Sequence, residues 1–331
     1  MKIMVYEARP DERADLEKQA ALHGVELSVT DAVPTLENAS LAAGCIGVSI
    51  LGQGCIDAAL LDAYHALGIR YLSTRTIGYD HIDLDHARSI GLRVCSASYA
   101  PNGVADFTVM MILMCLRHYK QALWRGQVND FSLTGLQGRE MKDLTIGIIG
   151  TGRIGAQVAR NLSGFGCRIL AYDLRRNPAV EPQVTYVDFD TLLAQSDVIT
   201  LHMPLLDSNR HIINRESVAK MRDGVVIVNC SRGELADIEA LIEGIETGKI
   251  GALGMDTVEG DEGIIHADHR VDILPNRNWF YLHQFRNVIM TQHMAFYTDA
   301  AVSSMVDCGM GGICQMAAGE SCPTELTGPV Q

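Results

Sequence analysis

Residues 145–155, Thr-Ile-Gly-Ile-Ile-Gly150-Thr-Gly152-Arg-Ile-Gly155, decide the fold of this chain of 331 residues. The first five form an apolar run typical of a buried strand, and residues 154–165 have the spacing of an amphipathic helix. The glycines match the pattern G-x-G-x-x-G between such a strand and helix. Gly150 permits the tight turn, Gly152 lets the backbone approach a pyrophosphate, and Gly155 allows close packing of helix on strand. Because N–H groups at a helix start bind phosphates, the stretch predicts a dinucleotide-binding turn.

An acidic residue follows the next predicted strand, where a ribose would lie. Asp173 stands 18 residues after Gly155, at the end of the apolar run 168–172. Its carboxylate can accept hydrogen bonds from both ribose hydroxyls of NAD, and it repels the 2′-phosphate of NADP. Arg175 and Arg176 come directly afterwards and keep NADP open as the alternative. The pattern predicts NAD as the cofactor.

Strands and helices alternate on both sides of the glycine-rich turn, which is typical of parallel sheets covered by helices. The sequence therefore predicts an α/β fold of two Rossmann-like, doubly wound parallel-sheet domains with an active-site cleft between them. The substrate (catalytic) domain takes residues 1–100 plus 298–331, because the last helix is expected to pack back on it. The dinucleotide-binding domain takes residues 101–297. The predicted strands are 3–6, 46–51, 70–73 and 93–96 in the first domain, and 145–150, 168–172, 198–201, 225–230, 252–256 and 288–291 in the second.

One segment, residues 101–124, is apolar on most sides and is predicted to form a single long helix. A helix of this kind is buried between domains or between subunits. We therefore expect a homodimer in which the part near residues 104–116 is buried at the interface.

The composition argues against several classes of protein. The chain has 27 Lys and Arg against 40 Asp and Glu, a net charge of −13, which disfavours nucleic acid and anionic membranes as partners. No apolar run approaches the roughly 20 residues of a membrane helix, and residues 1–7 lack a signal-peptide core, so a cytoplasmic protein is expected. The nine cysteines form no C-x-x-C pair and are interpreted as small core residues in a reducing compartment. His266, Asp268 and His269 have no second ligand pair at matching spacing, so no metal site is predicted.

Three other predicted strand ends carry a recognisable chemical set. Arg232 follows the run 225–230, a group of acidic residues follows the run 252–256, and His293 follows the run 288–291. An arginine binds a carboxylate in a bidentate manner and polarises a carbonyl group. A histidine transfers a proton near neutral pH, and a neighbouring carboxylate orients it and keeps it protonated. The set predicts chemistry on a small acid beside a nicotinamide.

With these motifs in this order, the chain resembles the D-2-hydroxyacid dehydrogenase family, most closely its D-lactate dehydrogenase branch, including the vancomycin-resistance type. The resemblance covers nearly the whole chain. It is carried by residues 74–83, 99–106, the glycine-rich turn, 202–204, 229–233 and 293–298.

The resemblance implies a role for each residue of the site. Arg232 binds the substrate carboxylate and polarises the keto group, while His293 donates a proton in reduction and accepts one in oxidation. The other substrate contacts it implies are the backbone of Ile77 and Gly78, the hydroxyl of Tyr99, and the pocket-wall residues Phe296 and Tyr297. The cofactor contacts are Gly150, Gly152, Arg153, Ile154, Gly155, Asp173, Met203, Pro204, Asn209, Cys230, Ser231, Arg232 and Asp256. For Asp256, a helix or loop cap is the alternative role.

The chain departs from the family at one catalytic position. The family usually has a glutamate five residues after the strand-end aspartate, and here that position is Asp261. Aspartate keeps the charge and loses one methylene group. We predict Asp261 as the partner of His293, with Glu259 and Glu262 as alternatives.

The predicted activity is hydride transfer between NADH and a small 2-oxo acid. Pyruvate and D-lactate are the first choice, with the D configuration implied by the resemblance, and 2-oxoisocaproate, phenylpyruvate and 2-oxoglutarate are the alternatives. Residues 50–54 are expected to lie over the pocket and offer no cation for the distal carboxylate of 2-oxoglutarate, which Arg75 would supply if it pointed inward. An NAD-sensing, corepressor-like binding protein is the alternative from another class, and turnover of NADH separates the two.

Overall fold

The computed structural model describes residues 1–274 and 276–328, and the chain folds into two compact units. Unit 1 comprises Met1–Ala100 and Tyr297–Gln331, and unit 2 comprises Pro101–Phe296. Residues 329–331, which the sequence analysis assigns to the first domain, lie outside the described residues. Within the described part of the chain, no helix has both the length and the apolar character needed to cross a membrane.

Unit 1 contains five strands and four α-helices among its described residues. They are β1 (Lys2–Val5), α1 (Arg13–His23), β2 (Glu26–Val29), β3 (Gly47–Ile50), α2 (Ala58–Ala66), β4 (Tyr71–Thr74), α3 (Leu84–Ser89), β5 (Arg93–Cys95) and α11 (Asp299–Ala317). All strands are parallel, in the order β2-β1-β3-β4-β5. The winding reverses between β1 and β3, and an open α/β sheet has its ligand crevice at the carboxyl ends of such a pair.

Both faces of this sheet are buried. Because successive residues of a strand point to opposite faces, Ile3 and Val5 join the core formed with α1 and α11. Met4, with neighbours on β3 and β4, joins the core formed with α2 on the opposite face. The nearly continuous apolar strands therefore specify a sheet that helices cover on both sides.

Unit 2 holds the glycine-rich turn and a larger parallel sheet. Its elements are α4 (Asn102–Leu116), α5 (Tyr119–Gln127), β6 (Thr145–Ile149), α6 (Arg153–Ser163), β7 (Arg168–Tyr172), β8 (Thr185–Tyr186), α7 (Phe189–Gln195), β9 (Val198–Leu201), α8 (Arg215–Lys220), β10 (Val225–Asn229), α9 (Ile238–Glu246), β11 (Ile250–Met255), α10 (Arg277–His283) and β12 (Val288–Met290). The strand order is β12-β11-β10-β9-β6-β7-β8. The winding reverses between β6 and β9, which is the doubly wound arrangement of a dinucleotide-binding sheet. The two parallel-sheet units confirm the predicted α/β fold class.

The sheets are larger than the sequence predicts. The six-stranded sheet expected in unit 2 has seven strands, because β8 pairs with β7 through two residues at the sheet edge. In unit 1, β2 is also an edge strand, and none of its four residues is buried: two are half-buried and two are exposed. Edge strands that are short or partly exposed lack the continuous apolar run on which the prediction depends.

The single helix predicted over residues 101–124 is wrong, because two helices occupy this segment. α4 ends at Leu116, His118 has a left-handed backbone with φ 50°, and α5 starts at Tyr119. The carbonyl oxygen of Leu116 accepts a hydrogen bond from the N–H of Arg139 (3.1 Å). Because the Leu116 carbonyl accepts this long-range bond instead of a bond from a following turn of helix, α4 ends at this residue.

The apolar side chains of α4 are buried within unit 2. Met111, Ile112 and Cys115 are at most 4% exposed, and the helix packs against α6, β10 and β11. A Cβ atom on Gly254 of β11 would lie 3.2 Å from the Cys115 sulfur, which shows how closely helix and sheet approach. The expected burial of α4 in a dimer interface is therefore not needed to explain its composition.

Candidate active site

The glycine-rich turn connects β6 to α6 and has no room for side chains at its first and third glycines. Gly150 has φ 93°, a left-handed conformation, and a Cβ atom there would lie 2.6 Å from the carbonyl oxygen of His202. A Cβ atom on Gly155 would lie 1.9 Å from the carbonyl oxygen of Gly150. Both glycines are therefore required by the close approach of backbone to backbone.

Gly152 is different, because a Cβ atom built on it meets nothing within 4 Å. It is exposed and precedes the first residue of α6, Arg153, which is also exposed. Neither packing nor a left-handed φ requires a glycine here, and a residue without a side chain leaves the backbone open to an external group. The first N–H groups of a helix lack partners within the helix and favour an anion. This arrangement, with Ile154 in the same first turn, fits the pyrophosphate of a dinucleotide.

Asp173 follows β7 and supports the turn. Its carboxylate accepts hydrogen bonds from the N–H (2.6 Å) and the hydroxyl (3.1 Å) of Thr151 and from the N–H of Arg175 (3.0 Å). The hydroxyl of Tyr186 donates to the Thr151 hydroxyl (2.8 Å), and the Arg176 guanidinium lies 5.5 Å from the centre of the Tyr186 ring. Asp173 is thus held at the edge of the turn, at the position expected for a ribose ligand.

The loop after β9 faces the turn across the switch point of the sheet. Asn209 shapes this loop, since its amide donates to the Pro204 carbonyl (2.8 Å) and to the Met203 sulfur (3.4 Å). His202, at the start of the loop, is buried, and burial lowers its pKa to about 3. His202 is therefore neutral at physiological pH. The cofactor contacts expected for this loop, those of Met203, Pro204 and Asn209, stay predictions.

The loop after β10 presents Arg232. The Asn229 side chain accepts from the N–H of Ser231 (3.0 Å) and donates to the Arg232 carbonyl (2.7 Å), while the Ser231 hydroxyl donates to the Leu201 carbonyl (2.6 Å). Cys230 is buried, and burial raises the pKa of its thiol, so it remains protonated. A Cβ atom on Gly233 would lie 2.3 Å from the backbone of Val258, so only glycine lets this loop pack against the loop after β11.

Asp256, at the end of β11, holds the turn that carries His293. It is 1% exposed, and it accepts hydrogen bonds from the N–H groups of Met294 (2.8 Å) and Ala295 (2.8 Å) and from the Thr291 hydroxyl (2.6 Å). His293 has a left-handed backbone with φ 52°. Asp256 therefore has the geometry of its alternative role as a loop cap, and its contact with the cofactor stays a prediction.

The three acidic candidates after β11 have different surroundings. Glu259 is paired, since it accepts from His211 Nε2 (2.7 Å) and lies 3.9 Å from the Arg210 guanidinium. Glu262 is exposed. Asp261 accepts from the N–H of Val258 (3.1 Å), and burial, with the nearby carboxylates of Glu262, Glu234 and Asp256, raises its pKa to about 6. A half-buried carboxyl group with a raised pKa is typical of a functional site, so Asp261 stays the best candidate of the three.

Unit 1 carries the other predicted substrate residues at the carboxyl ends of β4 and β5. The Thr76 hydroxyl donates to the Gly78 carbonyl (2.6 Å), and the N–H of Ala97 donates to the Thr76 carbonyl (2.9 Å). These bonds connect the turn of Ile77 and Gly78 to the segment that leads to Tyr99. Tyr297 also belongs to unit 1, where its ring lies 5.1 Å from the Arg9 guanidinium. The substrate roles of these residues stay predictions.

Arg75 is not available to a substrate, so the alternative in which it binds a distal carboxylate is wrong. It is fully buried and forms an ion pair with the equally buried Glu12 (3.0 Å). Its other nitrogens donate to the Ser49 hydroxyl (3.1 Å) and the Tyr6 carbonyl (3.0 Å). Arg75 is part of the core of unit 1.

A second buried carboxylate, Glu7, follows β1. It is 3% exposed and has φ 54°. Its carboxylate accepts hydrogen bonds from three consecutive backbone N–H groups after β3, those of Leu51, Gly52 (2.9 Å) and Gln53 (2.8 Å). Glu7 thereby orders the segment 50–54 that is expected to lie over the substrate.

Sequence reasoning gave no positioning role to three residues that shape the site. Asn229 and Thr291 shape the loops of Arg232 and His293, and the Asn-x-Ser spacing of a side-chain turn was the available signal for the first. His266, which lies beside His293, gave no signal other than its type. Among the described residues, no three His, Cys, Asp or Glu side chains are arranged to hold a metal ion.

Comparison with known proteins places this geometry among dehydrogenases. Residues 109–295 match the family described as "D-isomer specific 2-hydroxyacid dehydrogenase, NAD binding domain". An aromatic 2-oxoacid reductase of Clostridium sporogenes is 42% identical over 311 residues, 93% of each chain. A D-lactate dehydrogenase of Lactobacillus delbrueckii subsp. bulgaricus is 39% identical over 308 residues, 92% of each chain. The solved structure of a pyruvate reductase of Chlamydomonas reinhardtii superposes with a TM-score of 0.90 at 33% identity, covering 98% of each chain.

Proposed function

This chain belongs to the D-isomer-specific 2-hydroxyacid dehydrogenases, and from that premise we propose that it reduces pyruvate to D-lactate with NADH. It is an NAD-dependent oxidoreductase, as its relatives are, so the predicted cofactor and the predicted enzyme class are confirmed. The alternative of a corepressor-like sensor without turnover has no further support.

The observation that carries the proposal is the capped turn of His293. Asp256 binds the two N–H groups that follow His293, and this turn stands at the end of β12. Arg232 stands at the end of β10, and β11 lies between the two strands. The proposed proton donor and the proposed carboxylate-binding cation therefore follow two strands of the sheet that also carries the glycine-rich turn, which supports the proposal.

Each of these groups has a part in the reaction. When bound, NADH supplies a hydride to C2 of the oxo acid. Arg232 binds the carboxylate in a bidentate manner and polarises the keto group, and His293 delivers the proton that the keto oxygen takes up. Asp261 keeps His293 oriented and protonated. The remaining substrate contacts proposed are the backbone of Ile77 and Gly78, the Tyr99 hydroxyl, and the rings of Phe296 and Tyr297.

An aromatic 2-oxo acid, such as phenylpyruvate, is the second candidate substrate. What supports it is the 42% identity to an aromatic 2-oxoacid reductase, against 39% to a D-lactate dehydrogenase. The segment 50–54 contains two glycines and no aromatic ring, which suits a wide pocket.

A specificity panel tests the proposal. Initial rates are measured with NADH and with pyruvate, 2-oxoisocaproate, phenylpyruvate or 2-oxoglutarate. The highest kcat/KM for pyruvate supports the first candidate, the highest value for phenylpyruvate supports the second, and no turnover with any of the four refutes both.

Arg232→Lys tests the role of the cation. Lysine keeps the charge but loses the planar fork, so we expect KM for the oxo acid to rise and kcat to fall, with little change in NADH affinity. The loss in kcat/KM should be about 100-fold, which corresponds to ~2.7 kcal/mol. Arg215→Lys, at an exposed surface pair on α8, is the matched control and should be silent. Near-normal kcat/KM in Arg232→Lys would remove Arg232 from substrate binding.

We further propose that the protein acts as a homodimer in the cytoplasm. Supporting the dimer, α5 and the segment after it expose large apolar side chains, with Trp124 65%, Phe131 79% and Leu133 84% exposed. Supporting the compartment, the nine cysteines are free thiols. Sedimentation of a stable monomer at micromolar concentration would contradict the dimer.

A further inference from the structure

A second histidine lies against His293 in unit 2. His266 comes from the loop after β11, and its Nε2 donates a hydrogen bond to the backbone carbonyl of His293 (3.2 Å). The centres of the two imidazole rings are 6.1 Å apart. Both residues have left-handed backbones, with φ 62° at His266 and 52° at His293.

The His266 ring also contacts Phe296. The centres of these rings are 6.4 Å apart at an angle of 73°, and those of His293 and Phe296 are 6.3 Å apart at 83°. Both pairs are edge-to-face, the arrangement that aromatic rings prefer. His266, His293 and Phe296 thus form a cluster in which each ring lies near the other two.

The two sides of the His293 turn are held by different groups. Asp256 binds the N–H groups of Met294 and Ala295, on the side of the core. His266 binds the carbonyl oxygen of His293 from an exposed loop. Because a side chain follows its backbone, the direction of the His293 imidazole depends on both bonds.

We propose that His266 is a positioning residue that fixes the catalytic histidine through its N–H and the pocket wall through its ring. The inference rests on the proposed function, in which His293 delivers the proton and Phe296 walls the substrate side chain. Misplacement of a reacting group by about 1 Å lowers a rate by about 100-fold. A loop residue that restrains both groups therefore affects turnover without contact with the reacting atoms.

Three substitutions separate the two contacts. His266→Gln keeps an N–H donor at the same number of bonds from Cβ, but it removes the ring. His266→Phe keeps a ring, but it removes the donor. His266→Ala removes both. All three keep a non-glycine side chain at the left-handed position, so the backbone strain is shared and comparisons among them isolate the contacts.

We expect kcat to depend on the hydrogen-bond donor at position 266, and KM for the oxo acid to depend on the aromatic ring at that position. His266→Ala should lower kcat by about 10- to 100-fold and raise KM for the oxo acid by several-fold. His266→Gln should recover most of kcat while KM stays raised, and His266→Phe should keep KM near the wild-type value with kcat reduced. NADH affinity should stay unchanged in all three, because the glycine-rich turn is not affected.

His269→Ala is the matched control in the same loop. His269 lies three residues after His266, and its Nδ1 pairs with the carboxylate of Asp272 (2.9 Å). Removing the His269 side chain should change neither kcat nor KM. If His266→Ala does not fold, the comparison of His266→Gln with His266→Phe still tests whether the donor and the ring of His266 have separate roles.

The outcomes are separable. Wild-type turnover with an unchanged kcat and KM in His266→Gln and His266→Phe overturns the inference and leaves the proposed function intact. Equal losses in both variants also overturn it, because they indicate a role in loop folding alone. A wild-type protein that turns over no 2-oxo acid with NADH instead removes the proposed function on which the inference rests.

Discussion

The two parallel sheets have similar switch points, where the winding of the strands reverses, but different groups lie at them. In unit 1, backbone N–H groups after β3 bind the carboxylate of Glu7, which follows β1 in the same unit. In unit 2, a Cβ atom built on Gly152, the last residue of the glycine-rich turn, meets nothing within 4 Å, and α6 begins directly after it. The first crevice is occupied by a carboxylate of the chain itself, whereas the second is where we predict that the phosphates of the cofactor bind.

The comparison extends to the charged residues around each crevice. Unit 1 buries Arg75 against Glu12, so both charges are satisfied inside the core. Unit 2 buries Asp256 behind the His293 turn and leaves Asp261 among other carboxylates. Topology alone therefore does not create a binding site. In unit 1 the buried carboxylate of Glu7 binds the backbone N–H groups of its switch point, whereas in unit 2 the buried carboxylate of Asp256 binds the turn of His293.

The largest expected effect distinguishes two glycines of the open crevice. Gly155→Ala places a Cβ atom against the Gly150 carbonyl, and it should destabilise unit 2 by about 3 kcal/mol and abolish NADH binding. Gly152→Ala should fold with wild-type stability, because its Cβ meets nothing, but it should weaken NADH binding by at least about 100-fold. Denaturant unfolding and NADH titration measure the two effects.

Gly152→Ala is the sharper of the two tests, since it leaves the protein intact. Wild-type NADH affinity in this variant would mean that the cofactor does not approach the backbone at this crevice. The contrast between the two switch points would then be lost.

The next effect concerns the filled crevice. In Glu7→Gln the side-chain amide directs a donor at backbone N–H groups, so unit 1 should lose about 2 to 3 kcal/mol of unfolding free energy. Hydrogen exchange at Leu51, Gly52 and Gln53 should accelerate, while NADH affinity stays unchanged. Glu26→Gln, at an exposed pair with Lys2, is the matched control and should change stability by less than about 0.5 kcal/mol. Unchanged exchange in Glu7→Gln would show that the carboxylate does not order this segment.

The smallest effect has the opposite sign and belongs to Asp261. Its pKa is raised to about 6 by burial, so the folded chain binds this proton more tightly than the unfolded chain. Stability contributed by the group is therefore present below about pH 4 and is lost as pH rises to about 6. Asp261→Asn should be more stable than wild type at pH 8, by about 1 to 2 kcal/mol, because partial exposure reduces the full ~3 kcal/mol of such a shift. At pH 4 the two proteins should unfold alike.

Kinetics provide a second measurement on the same variant. If Asp261 keeps His293 protonated, Asp261→Asn moves the alkaline limb of the reduction profile to lower pH, and Glu262→Gln leaves it in place. A limb that moves with Glu262→Gln instead would assign the partner role to Glu262. Equal stability of Asp261→Asn and wild type at pH 8 would show that the carboxylate is not desolvated.

The glycine-rich turn and the strand ends could be predicted because their signals are local. Gly150, Gly152 and Gly155 stand between an apolar run and a helical pattern, and Arg232 and His293 directly follow apolar runs. Such signals need only the neighbouring residues, since a parallel strand buried on both faces is apolar along its whole length. The edge strands β2 and β8 lack this property and were missed.

What could not be predicted depends on long-range partners. Arg75 forms its ion pair with Glu12, which lies 63 residues away in the chain. The helix α4 ends where the N–H of the distant Arg139 donates a hydrogen bond to the Leu116 carbonyl. Local sequence also does not predict the direction in which a side chain at the end of a strand points. Asp256 has the position of a cofactor ligand, yet its oxygens bind the His293 turn.

The left-handed backbone of His293 has a consequence for how this protein responds to selection. A non-glycine residue in that conformation costs on the order of 1–3 kcal/mol, whereas glycine adopts it freely and asparagine more easily than most residues. Variants with Gly or Asn at position 293 are expected to relax the turn and to remove the proposed proton donor in the same step. A library sorted only for heat resistance is therefore expected to accumulate inert proteins at this codon. Sorting for heat resistance and turnover together keeps the histidine and moves the stabilising changes elsewhere.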